Sequence, residues 1–182
     1  MTGGPPNAED EASRVRPLKP EPLLAVLTSH EVDFLVVGGF AVSAHGFSRA
    51  TKDIDICPNP TEENLARLAA ALEELEAKSI GLDEFAGEFD LRPDLEGLKM
   101  EGNWTLITPH GRLDVLQSFS FADAADGEGT YKDLLPHAIE RPFFGHRVRF
   151  CGYEALLRMK RAANRSQDLV DIESLKAARG EL

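Results

Sequence analysis

Cysteine, long apolar runs and positive charge are all scarce in this sequence. Two cysteines in 182 residues, Cys57 and Cys151, exclude a disulfide scaffold and fit a reducing, cytoplasmic setting. No apolar run approaches the roughly 18 residues of a membrane-crossing helix, and the first residues lack the apolar stretch of a secretory signal. Lys and Arg number 20 against 31 Asp and Glu, a formal net charge of −11. That balance excludes a protein whose whole surface grips nucleic acid. Apolar residues still make up 42% of the chain, enough for one ordinary domain with its own core.

Residues 1–20 read as a flexible tail, punctuated by Gly3, Gly4, Pro5, Pro6, Pro17 and Pro20 and rich in charge. The domain is expected over 21–182, with no internal repeat. A short helix starts near Pro22. Val32–Val37 is a β-branched and apolar run stopped by Gly38-Gly39, the pattern of a buried strand ending in a tight turn. A short helix follows over Phe40–Gly46. Lys52–Cys57 alternates acid and isoleucine, a strand closed by Pro58 and Pro60. Thr61 caps the next helix, whose Leu65, Leu68, Leu72 and Leu75 share one face. Residues 79–103 carry no clear pattern. Trp104–Thr108 and Arg112–Leu116 read as strands joined by Pro109-His110-Gly111. A polar loop leads to a strand at His146–Phe150, then helices over Tyr153–Ala163 and Gln167–Ala178. The expected fold class is α/β (α+β), one small mixed sheet with helices packed around it.

The chemistry centres on Asp53-Ile54-Asp55. In a strand, residues i and i+2 share a face, so the two carboxylates lie together while Ile54 and Ile56 face the core. Paired carboxylates repel unless a cation sits between them, and hard divalent ions favour such oxygen donors. The bland alternative is a solvated strand face. Gly38-Gly39 lets backbone amides approach an anion closely, although paired glycines are more often only a turn. Arg49 is a candidate phosphate contact or a surface ion pair, and Thr51 a candidate strand residue. Asp114 is an acid in an apolar strand, where burial is costly unless it is paired or metal-bound. If its strand neighbours that of Asp53, three carboxylates converge. His45 and His110 each precede glycine and belong to no ligand cluster, so turn or core roles are expected. Asp168 and Asp171 sit one helical turn apart, able to position Lys160 or Arg165 or merely to cap.

The stretch from Phe34 through Gly38-Gly39 to Asp53-Ile-Asp55, followed by the lone Asp114, resembles the DNA polymerase β-like nucleotidyltransferase superfamily. The likeness is to its small stand-alone bacterial and archaeal members, which include toxin–antitoxin, abortive-infection and antibiotic-modifying enzymes. The Met159-Lys160 pair followed by Arg165-x-x-Asp168-x-x-Asp171 also looks like that group. Gly39 departs from the serine of many members. The resemblance implies the nucleotidyltransferase fold and an enzyme using NTP (ATP among them) and two Mg²⁺ ions. Asp53, Asp55 and Asp114 would be the metal-binding and catalytic residues. Gly38, Gly39, Arg49 and Lys160 would contact the nucleotide. Pyrophosphate would leave as the NMP reaches an acceptor hydroxyl.

Residues 141–165 hold seven bases (Arg141, Arg147, Arg149, Arg158, Lys160, Arg161, Arg165) and one acid, Glu154. Such a block points to a bound polyanion, or to a solvated helix face balanced by acids elsewhere. On this basis the acceptor is expected to be tRNA or protein, in a toxin–antitoxin or defence setting with a cognate partner. A small antibiotic-like acceptor is the alternative, and a non-catalytic binding module of the same fold a third reading.

Overall fold

A computed structural model describes residues 17–80, 92–121 and 128–181. Residues 1–16 of the expected tail, and residues 81–91 of the segment that carries no sequence pattern, lie outside the described residues. Helix α1 spans Pro20–Ser29, with proline in its first turn. It leads into β1 (Phe34–Val36), α2 (Gly38–Ala44), β2 (Asp53–Pro58) and α3 (Glu62–Glu74). Then come β3 (Lys78–Ser79), α4 (Leu95–Leu98), β4 (Trp104–Thr108), β5 (Gly111–Val115), β6 (Phe119–Ser120), β7 (Glu128–Gly129) and α5 (Tyr131–Leu134). The chain closes with β8 (Ile139–Phe143), β9 (His146–Phe150), α6 (Tyr153–Ala163) and α7 (Ser166–Ala178).

Seven strands form one mixed sheet in the order β3-β4-β5-β2-β1-β9-β8, and β6 and β7 form a separate two-stranded ribbon. Strand β2 runs antiparallel to β1 but parallel to β5, in the register Asp53↔Arg112 and Asp55↔Asp114. That register decides where the acids go. Side chains opposite one another across a ladder share a face, so Asp114 joins Asp53 and Asp55. Ile54, Ile56, Leu113 and Val115 are fully buried. Helices α1 and α3 pack together, with α3 against β2 and α1 against β9. The leucines expected on one face of α3, Leu65, Leu68, Leu72 and Leu75, are all buried.

Two expectations change in detail. Gly38-Gly39 is the first turn of α2 rather than only a turn, with Gly38 at φ +62°. The polar loop after β5 contains structure: the β6–β7 ribbon, α5, and the edge strand β8.

One buried polar residue holds the far end of the β1–β2 pair. Asn64, 3% exposed on α3, accepts from the Asp33 amide at 2.6 Å. Its amide group donates to the Asp33 carbonyl at 2.9 Å and the Asn59 carbonyl at 2.8 Å. Asn64→Ala strands the Asp33 amide and the Asn59 carbonyl, each costing about 1–3 kcal/mol when buried and unpaired, and leaves the Asp33 carbonyl to the Asn59 amide alone. The expected loss is at least about 2 kcal/mol in urea unfolding. A loss below about 0.5 kcal/mol, the usual surface value, would show that these bonds do not fix the strand pair.

Candidate active site

The three carboxylates expected from the sequence do converge. One oxygen from each of Asp53, Asp55 and Asp114 lies within 4.8 Å of the others. Each is set by a different local contact. Asp53 receives a hydrogen bond from the Thr51 hydroxyl at 3.1 Å. Asp55 lies against Gly38, where an added Cβ would fall 1.9 Å from its Oδ2. Asp114 is gripped by Arg112, which donates from Nε to Oδ1 at 3.0 Å and from a terminal nitrogen to Oδ2 at 2.8 Å. Arg112 Nε also stands 3.9 Å from Asp53. The sequence reading missed Arg112. Its i, i+2 spacing from Asp114 on a strand was the available signal.

Burial pushes the Asp55 carboxyl up to about 7, and the charges of Asp53 and Asp114 add to the shift while Lys160 and Arg112 oppose it. Burial also raises Asp114, held back by the hydrogen bonds and charge of Arg112. A cluster of oxygen donors with excess negative charge fits a hard divalent cation. The residues present are therefore suited to Mg²⁺.

Gly39 has its own steric reason. A Cβ there would meet the Thr51 hydroxyl at 2.8 Å and Arg49 at 3.0 Å, so a serine at this position would require the Thr51 and Arg49 side chains to shift. Gly38 and Gly39 thus leave bare backbone at the cleft wall, next to Asp55.

Lys160 is placed by the acids downstream of it. It is 5% exposed and bonds Asp168 at 2.9 Å and Asp171 at 2.7 Å. Asp171, fully buried, also holds Arg49 at 2.8 Å, and Asp168 holds Arg165 at 2.8 Å. One ionic chain therefore runs Arg49–Asp171–Lys160–Asp168–Arg165, tying the loop before β2 to α6 and α7. Asp171 takes the positioning role, and Asp168 takes both roles considered, positioning Lys160 and Arg165 and capping the start of α7. Asp168 also accepts from the Arg165 backbone amide at 3.2 Å.

All seven expected site residues line or border one cleft of about 400 Å³: Gly38, Gly39, Arg49, Asp53, Asp55, Asp114 and Lys160. Past Gly38 and Asp55 it continues into a lobe of about 250 Å³ walled by Leu116, Phe119, Leu156 and Met159. The first part is charged, and the lobe sets these apolar side chains beside Asp55, Lys160 and Asp168.

The basic block does not gather into one patch. Arg147 pairs with Glu140 and Arg149 with Asp33, away from the cleft, while Lys160 and Arg165 are held by Asp168 and Asp171. His45 ends α2 with Nε2 at 2.9 Å from the Cys151 carbonyl, and His110 lies in the β4–β5 turn, as expected. Cys57 is a buried strand residue whose thiol burial pushes up to about 12.

No protein-family model matches the sequence, and no curated protein matches it. Solved structures do share its fold. The lincosamide antibiotic adenylyltransferase LnuA, bound to lincomycin, superposes with a TM-score of 0.60 at 16% identity, over 90% of this chain and 99% of that one. The antibiotic-resistance factor ANT(2'')-Ia in solution gives 0.54 at 16% identity, over 87% and 80%. Its complex with adenylyl-2''-tobramycin gives 0.54 at 16%, over 87% and 86%. The chain has the nucleotidyltransferase fold.

Removing two of these acids should act in opposite directions. Asp55 holds its proton more tightly folded than unfolded, about 7 against 3.8. Its contribution therefore favours the fold below about pH 4 and is lost as pH rises through 7. In metal-free melts Asp55→Asn should raise Tm at pH 8, with the gain shrinking steadily toward pH 4. An equal gain at both ends of that range would contradict the burial argument. Asp171→Asn instead leaves Arg49 and Lys160 short of a buried partner and should cost about 3–5 kcal/mol in urea unfolding. A loss under about 1 kcal/mol would mean the ionic chain is not what holds α7 in place.

Proposed function

We propose that the chain is a divalent-metal-dependent nucleotidyltransferase, moving an NMP from an NTP to an acceptor hydroxyl with release of pyrophosphate. The observation that carries this reading is the convergence of Asp53, Asp55 and Asp114 beside the bare backbone of Gly38 and Gly39. The three carboxylates would hold two Mg²⁺ ions, which when bound supply Lewis-acid stabilisation of the phosphoryl charge. Gly38 and Gly39 admit the phosphates against the main chain. Lys160, fixed by Asp168 and Asp171, offers positive charge from the cleft wall, as does Arg49, which shares the Asp171 carboxylate with it. Asp114, with its carboxyl raised by burial, accepts the proton of the acceptor hydroxyl. The acceptor oxygen attacks the α-phosphorus in line, and the bond to the pyrophosphate oxygen breaks.

The acceptor proposed is a small hydroxylated molecule, the alternative that the sequence placed second. Four of the seven clustered bases are committed to acids of the chain itself, which weakens the case for tRNA. The Leu116, Phe119, Leu156 and Met159 side chains in the lobe beside Asp55 suit an uncharged group of a small substrate. The antibiotic nucleotidyltransferases of the same fold support the same class, and the adenylyl transfer named for them makes ATP the first nucleotide to try.

Transfer of label from each α-³²P NTP with Mg²⁺, offered a panel of hydroxylated antibiotics, total tRNA and a protein lysate, tests the proposal. Label is expected on a small molecule. Asp53→Asn/Asp55→Asn should lower the rate by about three orders of magnitude, the several kcal/mol that metal-ion catalysis supplies. Label on tRNA or protein would replace the acceptor class and restore the toxin–antitoxin or defence setting. No label from any NTP, together with no Mg²⁺–NTP thermal shift, would leave a non-catalytic binding module.

A further inference from the structure

A second cleft, of about 770 Å³, opens away from the carboxylates. Helix α6 separates the two. Leu156, Met159 and Lys160 face the catalytic cleft and its lobe, whereas Tyr153, Glu154 and Arg158 face the second. At about 100° per residue Glu154 and Arg158 lie across the helix from Leu156, Met159 and Lys160, while Tyr153 shares the Lys160 face about two turns away, at the N-terminal end. The remaining walls include His45 at the end of α2, His137 and Arg141 at β8, and Arg179 after α7.

The lining is rich in positive charge for so acidic a chain. Arg141, Arg158 and Arg179 are joined by two histidines and opposed by two acids, Asp133 and Glu154. Asp133 is already engaged, since its carboxylate accepts from the Thr130 amide at 2.8 Å and the Thr130 hydroxyl at 3.1 Å. Arg141 donates to the Glu140 carbonyl, and no ion pair is seen for it among the described residues. Arg179 lies 4.2 Å over the Tyr153 ring and comes only within 3.9 Å of Glu181. The floor beneath is firm. The Tyr153 hydroxyl donates to Glu181 at 2.8 Å, and His45 packs edge-on to the same ring while reaching the Cys151 carbonyl.

We propose that this cleft binds a small molecule carrying two or more phosphate groups. Arginine forks match phosphate oxygens in pairs. Arg158 already stacks 4.0 Å over the Phe121 ring, but Arg141 on β8 and Arg179 after α7 come from two separate elements, each able to meet its own phosphate group. The volume lies in the range of small-molecule sites, about 300–1,000 Å³. The site is distinct from the catalytic cleft and does not depend on the proposed transfer reaction.

Isothermal titration of the metal-free full chain with inorganic tripolyphosphate tests this. Saturable binding is expected, weakened about tenfold or more in Arg141→Gln/Arg179→Gln, the loss of one or two charge-assisted bonds. Both side chains are exposed, so an unchanged Tm should accompany the loss. Lys52→Gln/Arg112→Gln, at the catalytic cleft, should change the affinity less than about twofold. Unchanged binding in the first variant, or a loss confined to the second, would overturn the proposal. Equally tight binding of a short RNA oligonucleotide, lost in the first variant, would overturn the small-molecule assignment in favour of a nucleic-acid backbone. No turnover is read, so failure here leaves the transferase reading to its own test.

Discussion

The parallel pairing of β2 with β5, in the register that sets Asp55 opposite Asp114, is the constraint on which the rest of the site depends. Carboxylate oxygens within 4.8 Å of one another repel by roughly 3 kcal/mol per ionised pair at an effective dielectric near 20. A slip of one residue would turn Asp114 to the other face and bring Leu113 or Val115 out of the core. The apolar residues of both strands therefore enforce the crowding of the acids. The fold holds a charge cluster that the acids alone would disperse. Nearby features offset that charge: Arg112 clamps Asp114 in two bonds, and the Lys160 charge favours the ionised form of Asp55.

The ionic chain through Asp171 and Asp168 solves a different problem. Sheet and α2 make only one wall of the cleft, and α6 and α7 come from the far end of the sequence. Buried ion pairs are poor sources of net stability because desolvation consumes most of the attraction. Their use here is geometric. Asp171 accepts from Arg49 on one side and Lys160 on the other, so the loop before β2 and helix α6 are located by the same buried carboxylate. A hydrophobic contact would fix the distance but leave both cations without a defined direction.

What the sequence revealed follows from how local each signal was. The β2 alternation, the stopping glycines and the leucine face of α3 are short-range patterns, and all sit where they were read. The convergence of Asp114 with Asp53 depended on strand order, which spacing leaves open and the sheet resolves. Strand β8 was invisible because Glu140, Arg141 and Pro142 interrupt its alternation. As an edge strand it stays exposed at those central residues, and proline is tolerated there. Asn64 gave no signal at all: its three bonds reach Asp33 and Asn59, and polarity inside an amphipathic helix reads as a solvent face. The basic block misled because nearness in sequence is not nearness in space. Arg147 and Arg149 share a face of β9, yet one pairs with Glu140 on β8 and the other with Asp33 below β1.

Helices α2 and α6 each run between the two clefts. Helix α2 starts at Gly38 beside Asp55 and ends at His45. Helix α6 starts at Tyr153 and carries Lys160 about 10 Å further along its axis. The His45 contact with the Cys151 carbonyl joins them at the far end, and they also touch along their lengths. The Gly38 backbone and the Lys160 ammonium are therefore each carried by a helix that also reaches the floor of the second cleft. Strand register thus fixes the acids, while helices α2 and α6, with the ionic chain through Asp171, place Gly38 and Lys160.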